Sequence, residues 1–254
     1  MSEIVSKEFK AEEQRLLGLL KAALQGNADR FPAGCAPIQE EQEWMELGQI
    51  AKGHSVWPLL YDAVAASPSV PQSVQKDIEK AGRQTVLQSY RLLFLTKYVI
   101  GILEAHKIPA VVLKGVSAAA AYPVPELRKS GDVDILILGG KKKKNEVDEI
   151  VRQAGFVPVA EQYTDYHVAY KSQEGIEIEI HYDLTRKLDD RRFNEAVARS
   201  MKNGEEHRTK QEIMGVLLPV FDHPYQAYEL LLHMLQHFLF AGFGLRLLCD
   251  WVVL

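Results

Sequence analysis

The chain has 254 residues, 47% of them hydrophobic and 25% charged, with a formal net charge of −4. That is ample apolar material for one large domain or two modest ones, and it excludes a disordered, collagenous or disulfide-stapled chain. A small negative charge gives no whole-chain mark of nucleic-acid binding. The two cysteines, Cys35 and Cys249, have no metal-ligand spacing and read as free thiols of a reducing compartment.

The first residues, Met1 to Lys7, lack the basic-then-apolar pattern of a secretory signal, so a cytoplasmic location is expected. Phe9, Leu16, Leu17, Leu20 and Leu24 recur at helical spacing and predict a helix over about 7–25, stopped by Gly26-Asn27. Pro32, Gly34 and Pro37 mark a loop. A second helix is predicted over about 39–51, ended by Gly53; His54 to Pro58 opens a third, and Ser67 to Pro71 breaks the chain again. From Gln72 to Lys107 one long helical pattern dominates, with Lys76, Asp77, Glu79, Lys80 and Arg83 on a solvated face. These first residues form a helical platform without a catalytic constellation, and His54 reads as a capping or core histidine.

The informative stretch follows. Ala110 to Leu113 reads as a buried strand, Lys114-Gly115 breaks it, and the small residues Val116 to Ala121 suit a short helix. A loop carries Tyr122-Pro123, Pro125 and Arg128. A second strand, Val133 to Leu138, has Asp132 and Asp134 at its start. Two residues apart on a strand, both carboxylates share one face, roughly 6–7 Å apart along the chain. Side by side they repel, and a hard divalent cation with oxygen ligands is their natural partner. A solvated edge face would carry the same two residues. The strand–turn–small helix–acidic strand order favours the metal, because helix N-terminal N–H groups hold phosphate and a bound metal bridges to it.

Gly139-Gly140 ends that strand. Lys141 to Lys144 then opens a helix, four lysines against the helix dipole, which reads as a solvated turn or as a catch for phosphate or RNA backbone. The helix ends at Gly155. Tyr166 to Tyr170 alternates, Ser172 to Gly175 turns, and Ile176 to Tyr182 returns with period two. Its isoleucines face one side; Glu177, Glu179 and His181 face the other. Asp183 reads as a loop cap.

Beyond Thr185 a charged helix is predicted through Phe193, Ala196 and Val197. Gly204 to Lys210 reads as a polar connection, Glu212 to Val220 as a short extended pair, and Pro224 opens a leucine-rich helix. His233 and His237 stand four apart, as zinc ligands do, but no Glu follows the first and no third ligand is near, so they read as a helix-packing pair. Arg246 and Asp250, also four apart, are placed to pair. The apolar run Leu230 to Leu248 contains His233, Gln236, His237 and Arg246, each costly in lipid, and is expected to form a buried helix pair rather than a membrane span. The chain stops at Leu254 inside an apolar run with no cap, a pattern compatible with a longer natural chain.

The residues Leu113-Lys114-Gly115, Tyr122-Pro123, Arg128 and Gly131-Asp132-Val133-Asp134-Ile135-Leu136-Ile137 resemble the bacterial uncharacterised nucleotidyltransferase family, within the polymerase-beta-like nucleotidyltransferase superfamily. The resemblance spans roughly residues 50–254. The superfamily pattern is a glycine followed by Gly or Ser, a gap, then Asp-hydrophobic-Asp/Glu. Here Lys114-Gly115-Val116 stands at the glycine pair, and the gap to Asp132 is long. Glu179-Ile180-His181-Tyr182 is similar to the family's Glu-hydrophobic-His-aromatic segment, which carries a third metal-binding carboxylate onto Glu179, with Glu177 as runner-up.

The resemblance implies an α/β (α+β) nucleotidyltransferase core with a mixed sheet over 96–184, between helical segments 1–95 and 185–254. It implies transfer of a nucleoside monophosphate from an NTP, by the superfamily's habit ATP, to an acceptor hydroxyl with release of pyrophosphate. Two Mg²⁺ (or Mn²⁺) ions would be held by Asp132, Asp134 and Glu179. Lys114 or Arg128 would neutralise the triphosphate, Gly115 would belong to the phosphate turn, and Ser117 would donate to a phosphate oxygen. His181 would orient a carboxylate or contact substrate. The acceptor stays open between a small molecule, a protein side chain and an RNA end. Two rivals keep the same residues: a module that binds nucleotide or a partner protein and transfers nothing, and a metal-dependent phosphohydrolase, which its products would distinguish.

Overall fold

A computed structural model of the chain describes residues 10–27, 38, 40–65, 69–164, 166–242 and 244–254. Cys35 and the loop residues Pro32, Gly34 and Pro37 lie outside them. The helical platform comprises α1 (Ala11–Leu24), α2 (Glu41–Gly53), a 3₁₀ turn at Trp57–Leu60, α3 (Tyr61–Ala65) and α4 (Gln72–Ala105). Leu16, Leu19, Leu20, Trp44, Leu47, Ala51, Trp57 and Leu60 recur at helical spacing, and all are buried in one cluster. Glu13 and Glu43 reach back to the backbone N–H groups of Lys10 and Glu40, at 2.8 and 3.3 Å, closing the exposed first turns of α1 and α2.

Helix α4 joins this cluster to the next. Val74 and Ile78 belong to the first, while Leu92, Leu93, Val99, Ile100 and Leu103 pack on the sheet. Its 34 residues make it, among the described residues, the one helix long and apolar enough to cross a membrane. Those contacts bury one side of it, while Leu87, Tyr90, Phe94 and Tyr98 are exposed.

The sheet is built from β1 (Ala110–Val112), β2 (Asp132–Ile137), β3 (Val157–Tyr163), β4 (His167–Lys171) and β5 (Glu177–His181), with α5 (Lys114–Ala119) and α6 (Lys144–Gln153) between strands. Its order is β1-β2-β5-β4-β3. Strands β2 and β5 run parallel, and the other neighbours are antiparallel. The fold is therefore a mixed α+β arrangement. Strand β3 has no clear signal in sequence, since Pro158 interrupts its pattern; it lies at the sheet edge, where a proline is tolerated.

Period-two alternation divides the sheet into two unlike faces. Val133, Ile135 and Ile137 of β2, Ile178 and Ile180 of β5, and Val168 and Tyr170 of β4 form one core with α4 and α6. Each fully buried aliphatic side chain there contributes about 1.5–3 kcal/mol. The opposite face carries Asp132, Asp134 and Leu136 beside Glu177, Glu179 and His181, with His167 paired to His181. Leu136 joins Val111 and Leu113 under Val197, Phe221, Tyr225 and Leu232, so later elements close the apolar part of this face and leave the charged part as a pocket wall.

Those later elements are α7 (Arg191–Lys202), the hairpin β6 (Arg208–Ile213) and β7 (Val216–Phe221), α8 (His223–Phe240) and α9 (Leu245–Val253). Asp190 and Asp222 cap α7 and α8, accepting from the N–H groups of Phe193 and Tyr225 at 2.8 and 3.1 Å. Three expectations change here. The connection over 204–210 is already strand from Arg208, turning at Met214-Gly215, where both residues have positive φ, 46° and 79°. Lys141 to Lys143 lie in a 3₁₀ turn before α6, so only Lys144 opens the helix itself. The C-terminal helices do form a pair, but Leu231, Phe238, Leu239, Trp251 and Val252 are exposed, so the pair is buried on one side only.

Candidate active site

The parallel pairing sets Asp132 level with Glu177 and Asp134 level with Glu179. Carboxylate oxygens of Asp132, Asp134 and Glu179 lie within 4.8 Å of one another. Glu177 shares the face but not this cluster. Gly115 sits inside α5 at φ +26° and ψ −99°, a conformation that only glycine adopts readily, and it turns the chain sharply beside Asp134. Lys114, just before it, places Nζ 2.9 Å from Asp134 Oδ1 and 4.0 Å from Glu179 Oε2. His181 Nε2 lies 3.0 Å from Asp134 Oδ1 and 3.1 Å from Glu179 Oε2.

These contacts set the charge states. Burial opposes ionisation of Asp134, but Lys114 and His181 outweigh it and hold the carboxyl below the usual carboxylate range. Glu179 is likewise lowered against its burial, through His181 and Lys114. Asp132 behaves oppositely: the Asp134 charge and burial push it up to about 6. Burial works against the charge on His181, yet its bonds to Asp134 and Glu179 raise it. Two carboxylates are thus fixed as anions, and a third ionises at the cost of repulsion that a cation would relieve. Three clustered carboxylates and no soft donor among them fit a hard divalent cation.

The cluster opens on a cavity of about 370 Å³. Its other wall is α8, where Glu229, His233, Gln236, His237 and Phe240 follow at intervals that place them along one helix face. Arg186 and Tyr166 complete the rim. His233 and His237 are therefore pocket residues, not a helix-packing pair, and burial holds both below the ordinary imidazole value. Sequence reading missed Glu229, Gln236 and Arg186. The signal for the first two is a polar stripe along an otherwise leucine-rich helix.

Two residues expected at the phosphates lie elsewhere. Arg128 is 2% exposed, with Nε and Nη2 donating to Asp250 at 2.7 and 2.6 Å and Nη1 donating to Ser130. This also redirects Asp250, which accepts from Arg128 and Tyr122 and not from Arg246. Ser117 is buried; its hydroxyl donates to the Lys114 carbonyl at 2.9 Å and accepts from Gln226 at 3.2 Å. Lys114, Asp132, Glu179 and His181 do line the pocket.

Glu229 gives a pH test of this geometry. Its carboxylate accepts from the Lys114 backbone N–H at 3.4 Å, and burial pushes it up to about 7 from an ordinary 4.5. The native state thus binds this proton more tightly than the unfolded chain, so stability from this group is full at acid pH and falls as pH rises through that interval. Glu229→Gln keeps the acceptor and removes the titration. The variant should match the parent near pH 4 and exceed it at pH 8 by on the order of 3 kcal/mol in denaturant unfolding. Equal pH dependence in the two proteins would contradict the buried placement.

Carboxylates on adjacent parallel strands of a mixed sheet stand over a pocket, and the family that the sequence matches gives the class, a nucleotidyltransferase. Residues 40–254 match the uncharacterised nucleotidyltransferase family, and the chain belongs to it. No curated protein matches the chain. Among solved structures, it is similar to an antigenic nucleotidyltransferase-like protein from Paracoccidioides brasiliensis, at 17% identity and a TM-score of 0.44, covering 64% of this chain and 74% of that one. It is also similar to a lincosamide antibiotic adenylyltransferase in its lincomycin-bound form, at 14% identity and a TM-score of 0.39, covering 65% and 97%.

Proposed function

We propose that this protein transfers a nucleoside monophosphate from an NTP, with ATP the first to test, to an acceptor hydroxyl, releasing pyrophosphate. The observation that carries this reading is the approach of Asp132, Asp134 and Glu179 within 4.8 Å at the wall of a pocket. These three would hold the divalent cation, Mg²⁺ or Mn²⁺, and two ions by the resemblance to the wider superfamily. When bound, it would stabilise charge on the triphosphate and acidify the acceptor hydroxyl. Lys114 and Arg186 offer fixed positive charge to triphosphate oxygens. Glu229, with a carboxyl near 7, has the affinity that suits taking a proton from an acceptor at neutral pH. The stripe from His233 to Phe240 is the surface on which an acceptor would be oriented, a mixture of imidazole, amide and aromatic ring suited to a small polar molecule.

The cluster's negative charge sets the first test. A bare triphosphate is repelled, and ligand that binds only the native state raises its melting temperature. ATP with Mg²⁺ should stabilise the protein, and ATP with EDTA should not. Equal stabilisation by the two removes the metal bridge. A second reading rests on Lys114, whose ammonium already sits 2.9 Å from Asp134: an internal cation would suit a module that binds nucleotide and transfers nothing. Pyrophosphate release across a panel of acceptors separates the two readings, since the second yields none with any acceptor.

A further inference from the structure

The polar face of the sheet holds a second donor set, different in chemistry from the carboxylate cluster. His167 on β4 pairs directly with His181 on β5, and their ring centroids are 5.3 Å apart. Glu179 lies between them. Its Oε1 is 3.9 Å from His167 Nε2, and its Oε2 is 3.1 Å from His181 Nε2. One ligand atom from each residue falls within 4.8 Å of the others, and both imidazoles are more than nine-tenths buried. Around a tetrahedral Zn²⁺, with bonds of about 2.0–2.2 Å, ligand atoms stand roughly 3.3 Å apart. The two Glu179 spacings, 3.1 and 3.9 Å, lie on either side of that value, and all three ligand atoms fall within 4.8 Å, so a metal would draw the ligands slightly together.

A second, independent feature points the same way. His167 Nδ1 is 2.9 Å from Thr164 Oγ1, which also contacts the His167 backbone N–H and carbonyl. That outer partner fixes the ring and leaves Nε2 for the interior. Metal-binding imidazoles are held in this way, with one nitrogen on an outer hydrogen bond and the other on the ion. His181 Nε2, now facing two carboxylates, would exchange its proton for the metal.

We infer that His167, His181 and Glu179 form a binding site for a borderline transition-metal ion of the Zn²⁺ and Co²⁺ class, with a remaining position for water or ligand. Two nitrogens and one oxygen suit such ions, whereas Mg²⁺ prefers oxygen alone. Glu179 is common to this site and to the carboxylate cluster, so an ion here engages the side chain that the hard cation would otherwise use. The inference stands whether or not the chain transfers nucleotide.

Co²⁺ is the probe, titrated into metal-free protein and followed by visible absorption, with Zn²⁺ affinity measured by calorimetry. The wild type should develop the strong bands of four- or five-coordinate Co²⁺, and Zn²⁺ should abolish them. His167→Gln keeps bulk and hydrogen-bonding capacity but is a poor ligand; it should lose the bands while its melting temperature stays near the parent's. Thr164→Val retains all three ligands and should weaken Zn²⁺ binding by about tenfold to a hundredfold. A pale octahedral spectrum in the wild type would overturn the site. So would bands that survive His167→Gln, or that depend on Asp132 and not on His167, since the ion would then sit on the carboxylates alone.

Discussion

Asp132→Asn should lower nucleotidyl transfer by about a thousandfold while leaving the chain folded. Stabilisation of developing charge by a metal is worth several kcal/mol, and each ~1.4 kcal/mol is tenfold in rate. Asn keeps the shape and one acceptor but removes the charge from a proposed metal ligand. The stability effect has the opposite sign. Asp134 and burial raise Asp132 to about 6, so its proton is held more tightly in the native state, and stability falls as pH rises from the ordinary carboxylate range toward 6. Asn removes that loss, so the metal-free variant should melt above the parent at pH 8 and alongside it near pH 3. Asp134→Asn is less clean, because it strips Lys114 and His181 of their shared partner. Since the carboxylates act as a unit, Asp132→Asn with Glu179→Gln should be scarcely worse than either alone. Glu177→Gln, on the same face but outside the cluster, should cost less than tenfold. Full transfer activity in Asp132→Asn would sink the proposed mechanism; loss in Glu177→Gln with none in Glu179→Gln would move the third ligand by one register step.

What could be read from sequence follows from how local each signal is. The period-two strands around Asp132 and Glu179 name their own polar faces, because alternation is fixed by the residue itself. Their adjacency is not local: the paired residues of β2 and β5, such as Asp134 and Glu179, stand 45 positions apart, and only family resemblance supplied that neighbour. Contacts made by single side chains are harder still. Lys114 resembles a phosphate ligand in sequence and lies against Asp134 in the fold, because a strand turn seats it between two carboxylates. Glu229 is hidden in a leucine-rich helix whose pocket-facing side is apparent only once α8 lies over the sheet. Thr164 and His167 form a local pair, but their importance depends on the distant Glu179. Arg128 and Asp250, 122 positions apart, gave no local sign of their partnership.

That partnership carries the largest stability effect. Asp250→Ala should destabilise the protein by about 3–5 kcal/mol, because it leaves the Arg128 guanidinium buried without its counter-charge. Both side chains are about 1% exposed, so water cannot replace the missing carboxylate. Asp250 also accepts from the Tyr122 hydroxyl at 2.7 Å, a second buried donor that Ala would leave unsatisfied. In a chain of this size the loss corresponds to a fall of roughly 6–10 °C in melting temperature. The contact has a consequence for the site. Tyr122 and Arg128 lie on the loop that runs from α5 into β2, and Arg128 is four residues before Asp132, so helix α9 anchors the loop that delivers the first carboxylate. Asp250→Asn keeps the size and can still accept from one donor, and should lose less than Ala. Replacing both charges, Arg128→Met with Asp250→Leu, removes the orphaned charge, though not the unpaired Tyr122 hydroxyl, and should recover much of the stability, since a buried ion pair contributes little net over apolar packing. Denaturant unfolding of the three variants decides the matter: a loss below about 1 kcal/mol in Asp250→Ala, or a double variant less stable than the single, would mean that α9 is not held by this pair.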